Sequence, residues 1–260
     1  MKRPMTLTLA ATIALLTISA IGVRESHWAN VRDAVSKGLP KTALQSVDPI
    51  IRETEARGDW AAAIRAVTLK IALEAGIQGN KPEEKITRMQ AEIARAPAAM
   101  RPMMEAILAN WYWHYFEQNR WRFMQRTATA SEPDTDFTTW DLPRIYAEID
   151  RHFSRALAAA QQLKRIPVAQ YDALLARGNV PDSYRPTLYD FVAREALDFY
   201  GSAEQAGAHP EDDFVLQAAS PVFGTREQFL AWHLSTSDSA SVLVKAIRLQ
   251  QDVMRFHAAD

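Results

Sequence analysis

The chain has 260 residues, a formal net charge of −1, 48% hydrophobic and 23% charged residues, and no cysteine. That composition is ordinary for a globular protein of one large or two small domains, and the balanced charge gives no global attraction to nucleic acid or anionic membrane. The lack of cysteine excludes disulfides, thiol chemistry, cysteine metal sites and a cysteine-linked lipid anchor.

The amino terminus reads as a leader. Lys2 and Arg3 give a positive start, residues 5–23 carry no charge, and Arg24 and Glu25 close the apolar run. This is the pattern of a secretory signal peptide. Ala20 and Gly22 are small residues suited to cleavage after Gly22, and cleavage after Ala20 is a second option. The alternative is an uncleaved membrane anchor, because 5–23 is just long enough to span a bilayer. Either way residues 1–22 direct the chain out of the cytoplasm, to the periplasm, cell envelope or medium.

Helical signals then follow one another. Trp28, Val31 and Val35 share a helical face that ends at Gly38-Leu39-Pro40. Residues 42–57 carry Leu44, Val47, Ile50 and Ile51 at helical spacing. Gly58-Asp59 supplies a stop and a new N-cap, and 60–75 continues with Ile64, Val67, Ile71 and Leu73. Further helices are predicted at 83–96, 106–124, 145–163, 171–176, 188–200, 226–234 and 240–257. A polar stretch at 127–139, with Pro133, is the longest loop candidate and a possible internal boundary. It divides the chain into helical regions 27–126 and 142–260, separated by 127–141 and joined as one continuous helical domain. No stretch alternates with period two for long. The expected fold is all-α: stacked antiparallel helical hairpins in a tetratricopeptide-like α-solenoid. The pair 42–57 and 60–75 has the two-helix form of a repeat of about 34 residues. Its Trp, Gly and Tyr consensus positions are poorly matched.

Catalytic patterns are missing. The six histidines form no HExxH pair, and no GxSxG, Walker loop or GxGxxG occurs. The sequence therefore predicts no enzyme, no catalytic or metal-ligating residue and no cofactor. Glu195 and Asp198 lie three apart on a helix and read as a salt-bridged face with Arg194 rather than an acid–base pair. The strongest local feature is the aromatic run Trp111-Tyr112-Trp113-His114-Tyr115-Phe116, followed by Trp121. Rings on all sides of a helix point to burial between neighbouring hairpins. A stacking surface for sugar or peptide, or an interface to another domain, are the alternatives. Trp111, Trp113, Tyr115, Trp121 and Trp140 are the candidate core or interaction cluster. Arg120, Arg122 and Arg126 nearby suggest nucleic-acid stacking, which an exported chain of balanced charge argues against.

The order of several segments resembles a known family. A Trp28 helix leads to Gly38-Leu39-Pro40-Lys41-Thr42-Ala43-Leu44. Then come Asn110-Trp111-Tyr112-Trp113, Gln118-Asn119-Arg120-Trp121-Arg122-Phe123 and Thr139-Trp140-Asp141-Leu142. Arg185-Pro186-Thr187-Leu188-Tyr189-Asp190-Phe191 and Ala196-Leu197-Asp198-Phe199-Tyr200 complete the set. Together they resemble the N-terminal helical region of bacterial alpha-2-macroglobulin-like proteins that carry MG2 domains, over 28–260. The resemblance implies β-sandwich macroglobulin domains downstream and peptidase trapping at the cell envelope. The Cys-Gly-Glu-Gln thioester of that family cannot occur in a chain without cysteine. No bait region is recognisable. The last predicted helix leaves Leu243, Ile247 and Met254 half covered, and the resemblance implies helical sequence beyond it, so the expectation is a fragment or truncated form. The expected role is a non-catalytic helical scaffold of a peptidase inhibitor. Its partners would be proteins: downstream macroglobulin domains or an envelope component, with peptidases engaged only by the full-length protein. A free-standing tetratricopeptide-like binding module is the alternative.

Overall fold

The computed structural model describes residues 27–79, 81–126, 136–175, 181–208, 214–238 and 241–258. The predicted leader, 1–22, and the apolar run 5–23 lie outside them, as does most of the polar loop at 127–139. The fold is all-α, built from helical hairpins, and no strand occurs among the described residues. None of the described helices is long and apolar enough to cross a membrane. The chain divides into two compact units: Met1–Pro97 with Ala173–Ala176, and Ala98–Asp172 with Arg177–Asp260. The division falls at Pro97, so the segment 127–141, read from sequence as the boundary, lies inside the second unit.

The first unit holds α1 (27–36), α2 (Pro40–Arg57), α3 (Trp60–Ile77) and α4 (Pro82–Arg95). Pro40 opens α2 at its first turn, where a missing N–H costs nothing. Gly58 ends it in the left-handed region at φ 71°, and the Asp59 N–H donates back to the Thr54 carbonyl at 2.9 Å. The Asp59 carboxylate then caps α3 by accepting from the Ala62 N–H at 3.2 Å. A two-residue link leaves no room for anything but reversal, so α2 and α3 run antiparallel. Lys70 pairs with Asp48 across them at 2.8 Å, and Arg88 of α4 with Glu74 of α3 at 2.7 Å. Val31, Val47, Ile50 and Ala66 are buried between these helices, with Trp28, Ile51, Leu69 and Leu73 packed against them. The Arg65 guanidinium lies over the Trp28 ring at 4.5 Å.

The second unit is built on α5 (Arg101–Gln118), α7 (Leu142–Leu157), α9 (Leu188–Tyr200) and α12 (Val242–Phe256). The shorter α6 (Arg120–Met124), α8 (Ala160–Leu163), α10 (Gln205–Ala208) and α11 (Arg226–Ala231) fill the connections. α5 and α7 run antiparallel, since Glu105 meets His152 near one end and Phe116 meets Tyr146 near the other. α9 lies against α7 through Tyr146, Phe153 and Phe199, and α12 against α9 through Tyr189 and Phe256.

Several predicted helices differ from those observed. The helix predicted at 106–124 breaks at Asn119, because the Asn119 side chain donates to the Tyr115 carbonyl at 2.9 Å and closes the turn. The helix predicted at 145–163 breaks at Ala158 and Ala159, a change that the residue pattern does not signal. In place of the helix predicted at 171–176, a 3₁₀ turn, Val168–Tyr171, ends where that segment begins, and 172–175 are non-helical. The turn is held by two bonds, Val168 N–H to the Pro186 carbonyl and Leu188 N–H to the Ile166 carbonyl, both 2.9 Å. The helix predicted at 226–234 stops at Ala231, where the Gln251 amide takes the carbonyls of Phe229 and Trp232 at 2.7 and 2.9 Å.

Candidate functional site

α5 brings its aromatic run into the second unit, where contacts between rings extend unbroken from Trp140 to Tyr200. Tyr112 stacks parallel to Trp140 at 6.4 Å and meets Phe137 edge-on at 5.1 Å. Phe137 leads to Tyr115, and Tyr115 to Phe123. Phe123 touches Phe116, and Phe116 meets Tyr146 edge-on at 5.0 Å. Tyr146 leads to Phe199, which also contacts Trp113, Phe153 and Tyr200. Edge-to-face and offset pairs of this kind contribute beyond the area they bury.

The five aromatic candidates divide between core and surface. Tyr115 and Trp140 are buried, and Arg144 lies over the Trp140 ring at 4.8 Å. Trp113 is half-buried at the cluster's rim against Phe199, and Trp111 is half-buried. Trp121 is 66% exposed on α6, turned away from the core by the break at Asn119. The Arg194–Asp198 pair is present at 2.6 Å, while Glu195 accepts from the Asn110 amide of α5 at 3.0 Å.

Beside the Tyr112 ring lies a constellation that the sequence reading passed over. His152 of α7 is 3% exposed, Glu105 of α5 7% and Glu148 of α7 6%. The His152 Nδ1–H donates to Glu105 Oε2 at 2.5 Å, and Nε2 stands 3.2 Å from Glu148 Oε1. Arg151 grips Glu148, with Nε donating to Oε2 at 2.8 Å, and Arg155 Nη1 reaches Glu105 Oε1 at 3.7 Å. Burial works against the charge on His152, but the hydrogen bond to Glu105 and the neighbouring Glu148 carboxylate outweigh it and raise its pKa above the ordinary 6.5. Burial likewise pushes Glu148 up, yet the neighbouring His152 ring and the Arg151 guanidinium prevail and hold its carboxyl down to about 2. The arrangement is an imidazolium between carboxylates of two helices, with Nδ1 hydrogen-bonded to Glu105 and Nε2 beside Glu148 Oε1 at 3.2 Å without a formed hydrogen bond. Its Nδ1 bond to Glu105 joins α7 to α5. The legible signal was Glu148 and His152 four apart on the inward stripe of Ile145, Ile149 and Phe153.

Two further polar links tie the unit together. The Tyr200 hydroxyl donates to Asp150 Oδ1 at 2.9 Å while Lys245 Nζ donates to Oδ2 at 2.8 Å, joining α9, α7 and α12. Burial raises the Tyr200 phenol well above its usual range. Asp190, in the capping box of α9 with Thr187, also accepts from His257 Nε2 at 2.7 Å. Apart from these, an open cleft of about 470 Å³ lies between residues 218–224 and α11, with Phe223 and Trp232 on its wall. Comparison of the chain with protein-family models, curated proteins and solved structures gives no match.

Proposed function

We propose that this chain is a non-catalytic helical scaffold module of an exported alpha-2-macroglobulin-like peptidase inhibitor. What supports the reading is how its clustered ionisable groups are used. The acid–base constellation at Glu105, His152 and Glu148 is buried inside a helix pair and joins its two members through His152 and Glu105. Several of the segments that carry the family resemblance also meet one another within the second unit. Asn110 bonds Glu195 beside the 196–200 segment, Trp113 packs on Phe199, and Trp140 stacks on Tyr112. Such residues maintain a framework, and the inhibitory chemistry belongs to macroglobulin domains outside this chain. The alternative, a free-standing peptide-binding module, draws on the open cleft beside Phe223 and Trp232.

The purified chain, mixed with serine and metallo-endopeptidases, is expected to leave hydrolysis of a protein substrate unchanged and to form no trapped complex on gel filtration. Inhibition or hydrolysis by the chain alone would overturn the scaffold reading. Downstream genomic sequence encoding β-rich macroglobulin domains is the outcome expected of the first reading, and unrelated genes there that of the alternative.

A further inference from the structure

We infer that His152 is a proton-dependent lock on the α5–α7 hairpin: its imidazolium, held between Glu105 and Glu148, stabilises the pairing of the two helices, and loss of that one proton loosens it. The inference stands independently of the function proposed above.

The geometry carries it. Glu105 comes from α5 and Glu148 from α7, and both carboxylates are buried with His152 between them. An imidazolium donates through both nitrogens, whereas a neutral imidazole donates through one and accepts at the other. Deprotonation therefore turns a lone pair toward one of the two buried carboxylates. The remaining cations do not replace the lost charge. Arg151 and Arg155 reach Glu148 and Glu105 from half-exposed positions, and Arg155 only at 3.7 Å. Leaving a buried charge without its partner is far more costly than losing a surface pair. Tyr112 of α5 stacks on the His152 ring at 5.6 Å with planes 16° apart. Tyr112 also stacks on Trp140, so displacement of the histidine reaches the aromatic core directly.

The direction follows from the raised folded value. Stabilisation by His152 is complete below the ordinary 6.5 and is lost as pH rises through the higher value of the folded state. The lock is closed below 6.5 and opens as pH rises through that higher value.

The test is a ring ¹⁵N titration of the full chain labelled at histidine, run beside amide hydrogen exchange. His152 is expected to titrate above the ordinary 6.5, and α5 and α7 amides to lose protection as it does so. Between 6.5 and the pH at which the folded ring titrates, the unfolding equilibrium constant from urea melts should rise about tenfold per pH unit. His152→Gln should remove that rise. Glu105→Gln, which keeps the hydrogen-bond acceptor and drops one charge, should shift the opening to lower pH and serves if the first variant does not fold. A His152 ring that titrates at or below 6.5, unchanged protection across its titration, or an opening pH that Glu105→Gln leaves in place would each overturn the inference.

Discussion

Phe116 and Trp121 stand five positions apart in one aromatic run and occupy opposite environments. Phe116 is 1% exposed and pinned edge-on to Tyr146, whereas Trp121 is 66% exposed. Removing a packed ring leaves a cavity that neighbouring helices cannot fill, so Phe116→Ala should cost about 3–5 kcal/mol. Trp121→Ala should cost less than about 0.5 kcal/mol, because the ring packs against little. Urea unfolding of the two variants measures the contrast. Equal losses would mean that α6 does not turn outward at Asn119.

At the scale of elements, the α2–α3 hairpin depends on a glycine in the left-handed region. A Cβ at Gly58 would meet the Trp60 ring at 3.5 Å, an ordinary contact, so space is not the constraint. The constraint is φ 71°, which side-chain-bearing residues adopt only at a cost. Gly58→Ala should destabilise the chain by roughly 1 kcal/mol. Gly76→Ala should do the reverse. It lies within α3, its added Cβ meets nothing within 4 Å, and alanine is the better helix former by up to about 1 kcal/mol. Thermal melts of both variants should move in opposite directions. The same physics explains which boundaries were legible. Gly58-Asp59 and the Thr187–Asp190 capping box act within a few residues, and the predicted 188–200 helix coincides with α9. The early end of α11 depends on Gln251, a residue two helical turns along a different helix, and no local pattern carries it.

For the molecule as a whole, the acidic limb of stability is set by Glu148. Its folded carboxyl titrates at about 2 against an ordinary 4.5, so the stabilisation is complete above 4.5 and disappears as pH falls toward 2. The amount is on the order of 3 kcal/mol. Urea midpoints should therefore drop between pH 4.5 and 2.5, and Glu148→Gln should flatten much of that slope. A wild-type slope retained in Glu148→Gln would assign the acid sensitivity to another carboxylate. Together with the loosening at His152 as pH rises above 6.5, this leaves both contributions complete only between 4.5 and 6.5.

The sequence by itself determined the all-α class, the α2–α3 hairpin and the aromatic character of α5, because these follow from period, caps and composition read over a few adjacent residues. Only the tertiary structure decided which rings are core. Trp121 and Tyr115 belong to the same run, and the difference arises where the Asn119 side chain closes a turn and where α7 and α9 come to lie. The division at Pro97 was equally nonlocal, since it depends on which helices α5 packs against rather than on the polarity of the loop at 127–139. Glu105 and His152 are separated by 47 positions, and neither stands in a recognisable motif. Their clamp exists because the antiparallel course of α5 and α7 brings two inward-facing polar positions to one level. There a buried charge must find its partner or not be charged at all.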